Sequence, residues 1–294
     1  MKLELINEVT FDDPIQQVLH NRGIDDLDRF FNINWSCVQH PTFLDNMNEG
    51  AQLLYTHLSC DNKILIIVDS DCDGFTSAAI LLNYLHDQKS ATFDGYEYHI
   101  EYAFHDKKDH GLSDAPLMKR IRDKIKPDLV IIPDASGNVM QYQALLDLGM
   151  DILVIDHHDT EPIEIDKEHL VIINNIQSED YENKALSGAG CVWQFCRYLD
   201  RVWVDCDADK YLPIVAIGLV ADVMDLRSDE TRFLVQQGIA KQNSNFVDAL
   251  KFKMSYSLQD KYNPDRIGFV VAPLFNAIAR IGSQEEKKMA LKLF

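Results

Sequence analysis

Three aspartates at alternate positions directly follow an aliphatic run in this 294-residue chain. Residues 63–74 read KILIIVDSDCDG, which places the acids at Asp69, Asp71 and Asp73. The run is apolar throughout, as in a strand of a parallel sheet that is buried on both faces. Three carboxylates crowded at the end of one strand repel each other, so the pattern predicts a divalent cation between them. Gly74 is predicted to form a sharp turn into a helix, TSAAILLNYL.

Two other interpretations of this stretch were considered. An EF-hand calcium loop also begins D-x-D-x-D-G, but it follows a helix and has a glutamate at its twelfth position. Here a strand precedes, and the twelfth position is Ile80. A solvated turn rich in aspartate is the second alternative, but such turns seldom follow so apolar a strand. A metal site is therefore the preferred interpretation.

Two further apolar runs end in polar ligands. Residues 128–134, DLVIIPD, end at Asp134, and residues 151–158, DILVIDHH, end in Asp156, His157 and His158. One such ending could be an accident of a turn, but three coincide here. Ligands bind at the carboxyl ends of strands in doubly wound sheets. The sequence thus predicts an α/β fold with a mainly parallel, doubly wound sheet and helices on both faces.

The other elements complete this prediction. Residues 1–60 have helical spacing, residues 96–104 and 170–174 are predicted strands, and LSGAGCVWQFCRYL is predicted to be a helix. PIVAIGLVADVMDL is an apolar helical stretch interrupted by Asp222 and Asp225. An unpaired buried charge is costly, and metal ligation would compensate it. An exposed helix end is the alternative, and it suits Asp225 better than Asp222.

Composition limits the classes of function. The chain is 46% hydrophobic, with a formal charge of −19, which argues against a nucleic-acid binder that uses its whole surface. Residues 107–126 nevertheless hold seven Lys and Arg against three Asp, a local balance of +4. A solvated helix face explains most of these cations, whereas Lys107 and Lys108 lie in a predicted loop that could face the metal site.

The cysteine spacing, the N-terminus and the length of the apolar runs predict where in the cell the protein is found. Six cysteines include no CxxC pair, and the N-terminus has no secretory signal, which predicts reduced thiols in a cytoplasmic protein. No apolar run approaches the roughly 20 residues of a membrane-spanning helix. We therefore expect no membrane association, and the sequence identifies no protein partner.

Four short motifs, DSDCDG, PDAS, DHH and GLVADV, occur in an order that resembles the DHH phosphoesterase family. The triple-aspartate motif is most similar to RecJ-type single-strand exonucleases. So are the stretches FLDNMNEGAQLL, HDKKDHGL, LSGAGCVW, LRSDETRFLVQQGI and PLFNAIARIG, so that the resemblance covers about residues 25–294. It implies a helical segment at 1–60 packed on a DHH phosphoesterase catalytic domain at 61–294. This domain has a helical C-terminal part and ends near the start of an expected linker helix, and a separate substrate-binding domain is expected to be absent.

The resemblance also implies roles for individual residues. The predicted ligands of two Mn²⁺ ions, with Mg²⁺ as a possible replacement, are Asp69, Asp71, Asp73, Asp134, His157 and Asp222. The predicted catalytic residues are Asp156, which orients the imidazoles, and His158 and Arg280, which contact the scissile phosphate. The predicted substrate-binding residues are Lys107, Lys108, Ser187, Gly188 and Asn276.

The function implied by the resemblance is 5′ to 3′ exonuclease action on single-stranded DNA by two-metal hydrolysis. The alternative is a phosphoesterase for a small substrate, such as a short oligonucleotide, a cyclic dinucleotide or pyrophosphate. A non-catalytic scaffold is a third class, but it would be expected to lose ligands, and all six are present. Two motifs depart from the family pattern: HDKKDHGL replaces a loop that usually carries an arginine and ends in GYGL, and PDASGN replaces VDNG.

Overall fold

Five parallel strands form the central sheet. The computed structural model describes residues 9–91, 99–106, 108–160, 163, 168–203, 207–241 and 262–294. The strands, in sequence order β1 to β5, are Lys63–Val68, His99–Phe104, Leu129–Pro133, Asp151–Asp156 and Leu170–Asn174. Their order in the sheet is β2-β1-β3-β4-β5, and every neighbouring pair is parallel. The predicted sheet is thus confirmed, and within the described residues it is parallel throughout.

Twelve α-helices surround the sheet in the described part of the chain. Helices α1 to α6 are Pro14–His20, Leu27–Phe31, Met47–Ser59, Cys72–Ala91, Ala115–Arg120 and Val139–Leu146. Helices α7 to α12 are Gly188–Leu199, Leu212–Ala221, Asp229–Ala240, Pro264–Arg266, Ala272–Ile281 and Gln284–Leu291. Short 3-10 turns occupy Trp35–Cys37, Pro41–Phe43 and Ala208–Tyr211, and π-helical turns occupy Ile121–Ile125 and Ile267–Val271.

The two faces of the sheet bury alternate residues of each strand. In β1, Ile64 and Ile66 join a large core with helices α3, α4, α7 and α8, whereas Leu65 and Ile67 join a smaller core with α5 and α6. Successive strand residues point to opposite faces, so a strand covered on both sides must be apolar throughout. The prediction of helices on both faces is confirmed.

The strand order determines where a ligand can bind. In the order 2-1-3-4-5 the chain runs outward in opposite directions from β1 and β3, which opens a crevice at their carboxyl ends. Asp69 follows β1 and Asp134 follows β3. The acidic residues singled out in the sequence therefore flank this topological switch point.

In the N-terminal segment, residues 9–60 of the described chain, fewer helices pack on the core than the spacing of its apolar residues predicts. Helices α1 and α2 bury no residue, whereas α3 shares the large core with the sheet. The carboxylate of Glu230 in α9 is buried and fixes the segment by accepting hydrogen bonds from the Gln39 backbone at 3.1 Å and from Tyr181 Oη and Gln194 Nε2, both at 2.9 Å. The division of the chain at residue 60 stays a prediction.

Several predictions about single elements need correction or lie outside the described residues. Helix α4 begins at Cys72, so Gly74 lies in its first turn and not in a sharp turn before it. Helix α8 ends at Ala221, so Asp222 follows the helix instead of interrupting it. The predicted strand at 96–104 is seen from His99, since residues 92–98 are outside the described part.

The predictions about cysteines and membranes can be compared with the described part of the chain. Cys37, Cys60, Cys72, Cys191 and Cys196 are free thiols, and Cys206 lies outside the described residues. Among the helices described, none combines the length and apolar character needed to span a membrane. The cytoplasmic location stays a prediction.

Val223 has an unusual backbone conformation directly after Asp222. Its φ of 56° is in the left-handed region, where a β-branched residue is strained. The amide of Met224 donates to the carbonyl of Leu219, and that of Val223 to the carbonyl of Val220, which is the Schellman pattern that normally places glycine at this position. The end of α8 thus positions Asp222 at the expense of local strain.

We predict that Val223→Gly raises the free energy of unfolding by about 0.5–1 kcal/mol. The left-handed conformation costs a non-glycine residue about 1–2 kcal/mol, which exceeds the entropic disadvantage of glycine. Little burial is lost, because Val223 is 85% exposed. Urea denaturation measures the change. Val202→Gly is the control at an exposed valine without positive φ and should lower stability; an equal loss in both variants would contradict the strain argument.

Candidate metal centre

Asp69, directly after β1, is held by the loop that follows β2. Its Oδ1 accepts from the amide of Gly111 at 2.9 Å, and its Oδ2 lies 2.5 Å from His110 Nδ1. His105 Nε2 is 3.4 Å from Oδ1. Burial raises the pKa of Asp69, but the contacts with His105 and His110 and the hydrogen bond from the Gly111 amide outweigh burial and bring its pKa to about 2. The carboxylate is therefore kept ionised.

Asp73, in the first turn of α4, is held by the N-terminus of α7. It accepts hydrogen bonds from Ser187 Oγ at 2.9 Å, from the amide of Gly188 at 2.7 Å and from the amide of Ala189 at 3.2 Å. A helix N-terminus stabilises a carboxylate in this position. Ser187 and Gly188 are buried and hold Asp73, and their predicted contact with substrate stays a prediction.

Asp71 and Asp134 are close enough to these two anchored carboxylates to feel their charges. Burial, followed by the charges of Asp69 and Asp73, raises the pKa of Asp71. Burial raises the pKa of Asp134 well above its usual value, and the neighbouring charges of Asp73, Asp71 and Asp69 add to this. Asp134 also has a φ of 61°, a left-handed conformation that aspartate tolerates better than most residues. The four carboxylates converge, as the sequence predicted.

His157 faces two of the acids predicted to be ligands. Its Nε2 lies 3.2 Å from Asp134 Oδ1 and 3.4 Å from Asp222 Oδ2. Burial lowers the pKa of His157, which favours the neutral imidazole that can ligate a metal, and burial raises the pKa of Asp222 to about 7. His157 Nε2 and Asp134 Oδ1 are buried and make no hydrogen bond within the described structure. Such atoms are costly unless another group binds them, so this donor set fits a cation.

Asp156 and His158 form a separate pair beside the cluster. Asp156 is fully buried at the end of β4, and its Oδ1 lies 2.7 Å from His158 Nδ1. This hydrogen bond raises the pKa of His158 to about 9 although burial opposes it. The carboxylate therefore orients His158 directly, whereas its predicted influence on both imidazoles is not seen as a side-chain hydrogen bond to His157.

The other predicted site residues differ in position. Asn276 Oδ1 accepts from the amide of Cys72 at 2.8 Å, so this residue fixes the start of α4. Arg280 Nε is buried without a hydrogen-bond partner in the described residues. The hydrogen bond with Asp69 raises the pKa of His110, although burial and the charge of Arg280 oppose this shift. Lys108 is exposed, and Lys107 lies outside the described residues. The substrate contacts predicted for these residues stay predictions.

Sequence reasoning missed three residues that support the site. His105 and His110 both approach Asp69, and Lys287 in α12 donates from Nζ to the carbonyl of His105 at 2.6 Å. Burial lowers the pKa of Lys287, whose side chain is 1% exposed. Both histidines belong to the HDKKDHGL stretch, in which the sequence predicts the two lysines, and not the histidines, to be site residues. Nothing in QEEKKMAL distinguishes a buried lysine from its exposed neighbour.

All six predicted ligands belong to groups of side chains whose ligand atoms lie within 4.8 Å of one another. Among the described residues these groups are Asp69 with Asp71 and His110; Asp73 with His157 and Asp222; and Asp134 with Asp156, His157 and His158. Carboxylate oxygens with an occasional imidazole suit Mn²⁺ or Mg²⁺ better than a metal that prefers thiolates. The arrangement can therefore hold one or more hard divalent cations.

Comparisons with known proteins agree with the fold. The family model described as "DHH family, N-terminal domain" matches residues 63–219. A putative SPbeta prophage-derived single-strand DNA-specific exonuclease, YorK, from Bacillus subtilis is 36% identical over 296 residues, which cover 100% of this chain and 49% of the relative. The single-stranded-DNA-specific exonuclease RecJ of Bacillus subtilis is 27% identical over 243 residues, covering 82% of this chain and 29% of RecJ.

A solved structure shares the fold. The crystal structure of an exonuclease RecJ bound to manganese superimposes with a TM-score of 0.69 at 23% identity, and the match covers 85% of this chain and 62% of that one. At this identity the match establishes the fold alone. The chain spans about half the length, or less, of the two curated relatives.

We predict that Gly188→Ala weakens metal binding by about tenfold or more. A Cβ at this position would lie 2.3 Å from Asp134 Cβ and 2.4 Å from Asp134 Oδ1, so either the acid or the start of α7 must move. Overpacking of this kind costs about 1–3 kcal/mol of stability as well. Calorimetric titration with Mn²⁺ measures the affinity. Gly268→Ala is the control, since its Cβ would meet only Val220 at 3.6 Å; equal affinities in both variants would contradict the packing argument.

We also predict opposite effects of Asp134→Asn with and without metal. In EDTA at pH 8 the amide should raise the free energy of unfolding by about 1–2 kcal/mol, because it removes a buried charge beside three others. Wild-type protein should gain about 2.7 kcal/mol at a Mn²⁺ concentration of 100 times Kd, and the variant should gain much less. Thermal and urea unfolding provide both measurements. A variant that is less stable than wild type in EDTA would refute electrostatic repulsion as the dominant effect.

Proposed function

Because this chain belongs to the DHH family, we propose that it is a metal-dependent phosphodiesterase that removes nucleotides from single-stranded DNA in the 5′ to 3′ direction. The observation that carries the proposal is the convergence of six predicted ligands at the switch point of the sheet, where His157 Nε2 and Asp134 Oδ1 are buried and have no hydrogen bond to any residue that the structure describes. Relatives described as single-strand DNA-specific exonucleases support the choice of substrate.

We propose two divalent ions, Mn²⁺ or in its place Mg²⁺, held by these six residues. Asp134 is the natural bridging residue, because the charges of all three aspartates of the first motif act on it and its Oδ1 faces His157. Bound divalent ions activate water as a nucleophile and neutralise charge on the phosphoryl group. RecJ structures bound to manganese support this choice of metal.

The side chains of the protein itself would bind and orient the phosphate. His158, which Asp156 holds at 2.7 Å, is positively charged at neutral pH because its pKa is about 9. Its side chain is 54% exposed, so it can reach a bound phosphodiester. Arg280 is the second cation proposed for this role. Positive groups fixed beside the reacting phosphate stabilise the negative charge that develops in the transition state.

A phosphoesterase that acts on a short oligonucleotide, a cyclic dinucleotide or pyrophosphate is the alternative. The net charge of −19 favours it, because long nucleic acids are held by many Lys and Arg contacts along the backbone. The cations of residues 107–126 do not compensate: Lys119, Arg122, Lys124 and Lys126 are exposed on or beside the helix, as the solvated-face interpretation predicted. Substrate length therefore distinguishes the two functions.

The test compares strands labelled at one end or the other. With Mn²⁺, a 5′-labelled single strand should release labelled mononucleotide from the first turnovers, whereas a 3′-labelled strand should shorten step by step. Duplex of the same sequence, a dinucleotide and pyrophosphate are digested in parallel. Mononucleotide released first from the 3′ label would refute the polarity, and hydrolysis restricted to the dinucleotide or pyrophosphate would establish the alternative.

The same assay tests the residues. Asp134→Asn should lower turnover by at least about 100-fold, since it changes the residue proposed to bridge the ions. His169→Gln is the matched control, because His169 is a half-exposed histidine at the start of β5 that pairs with Asp151 away from the cluster. Near-normal turnover of Asp134→Asn at saturating Mn²⁺ would disprove the proposed mechanism.

A further inference from the structure

The segment at residues 108–111, which follows β2, places an imidazole directly against the acidic cluster. His110 Nδ1 lies 2.5 Å from Asp69 Oδ2, and His110, Asp69 and Asp71 have ligand atoms within 4.8 Å of one another. The carboxylate of Asp71, which adjoins this imidazole, accepts a hydrogen bond from the amide of Gly74 at 2.9 Å. His110 therefore contributes a nitrogen to a set of oxygen atoms that fits a cation.

The backbone around His110 is fixed on both sides. The amide of His110 donates to Ser113 Oγ at 3.2 Å, and the amide of Ser113 donates back to the carbonyl of His110 at 3.1 Å. Gly111 has a φ of 53°, and its amide donates to Asp69 at 2.9 Å. A Cβ at Gly111 would lie 2.4 Å from the Ser136 carbonyl oxygen, so the loop is packed tightly against the turn after β3. The imidazole is thus positioned by the fold.

An ordinary surface pair is the alternative explanation of this contact. Exposed histidine–aspartate pairs occur elsewhere, as between His169 and Asp151 at 2.8 Å, and such pairs contribute little. The partner of His110 differs, because the Asp69 side chain is 3% exposed against 22% for Asp151. Asp69 also belongs to the proposed metal centre. A surface pair does not explain why the imidazole reaches into this centre.

We propose that His110 is a further nitrogen ligand of the metal centre, where it binds the same divalent cation as Asp69 and Asp71. This inference rests on the proposed function. It gives each of the two proposed ions one imidazole, His110 on the side of Asp69 and His157 on the side of Asp222. Imidazole suits first-row transition metals, whereas Mg²⁺ prefers oxygen. His110 therefore favours Mn²⁺ over Mg²⁺ at its site.

The experiment measures nitrogen coordination directly. The full chain is loaded with Mn²⁺, and electron spin echo envelope modulation detects ¹⁴N coupled to the bound ion. We compare wild type with His110→Gln and His110→Asn, with His157→Gln as a reference for the loss of one imidazole and His169→Gln as the matched control. The His110 variants should lose ¹⁴N modulation to about the same extent as His157→Gln, and the control should match wild type.

A second measurement follows metal selectivity. Competitive calorimetry of Mn²⁺ against Mg²⁺ should show that His110→Gln lowers the Mn²⁺ affinity of one site on the order of tenfold or more, with little change for Mg²⁺. Circular dichroism verifies that the variants are folded, which is expected because the His110 side chain is 51% exposed.

The outcomes separate this inference from the proposed function. Unchanged ¹⁴N modulation in the His110 variants, with Mn²⁺ still bound, would overturn the ligand assignment alone. So would a loss of affinity without a loss of modulation, since His110 would then only orient Asp69. Wild-type protein that binds no Mn²⁺ would overturn both the assignment and the proposed function.

Discussion

Electrostatic repulsion among buried carboxylates is the constraint on which the rest of this structure depends. Asp69, Asp71, Asp73 and Asp134 converge where β1 and β3 end, and burial together with the charges of the neighbouring aspartates raises the pKa of Asp71 and Asp134. Neighbouring carboxylates that are both ionised repel each other, and this repulsion destabilises the fold most where little water screens it. The protein stabilises Asp69 and Asp73 with its own donors, whereas Asp134 Oδ1 has no hydrogen-bond partner among the described residues, so the cluster remains a binding site for positive charge.

The surrounding elements are arranged to hold this cluster rigid. The N-terminus of α7 fixes Asp73, the loop after β2 fixes Asp69, and the close contact of Gly188 with Asp134 brings α7 against the end of β3. Lys287 extends the support to α12, because it holds the backbone of His105 from a position 182 residues later in the chain. Rigid supporting contacts of this kind orient metal ligands and raise their affinity. The left-handed conformations of Asp134, a predicted ligand, and of Val223, which follows the predicted ligand Asp222, also occur at this site, as is common at functional sites.

The sequence by itself determined the architecture and most of the centre. Apolar runs of four or five residues that end at an acid identified β1, β3 and β4, because a strand covered on both faces has to be apolar and polar ligands can stand only at its end. The same reasoning brought Asp69, Asp134 and His157 together, since the carboxyl ends of parallel strands meet at one edge. The pattern of residues within each short segment was sufficient for these conclusions.

Only the tertiary structure decided which groups complete and support the centre. His110, Lys287 and the donors that hold Asp73 come from segments distant in sequence, and their residue types are equally common on solvated surfaces. Ser187 and Gly188 illustrate the difference: the sequence indicated that they matter, but the fold gives them a carboxylate to hold. Contacts of this kind depend on how helices and loops pack across the sheet. The spacing of apolar residues along one segment does not predict that packing.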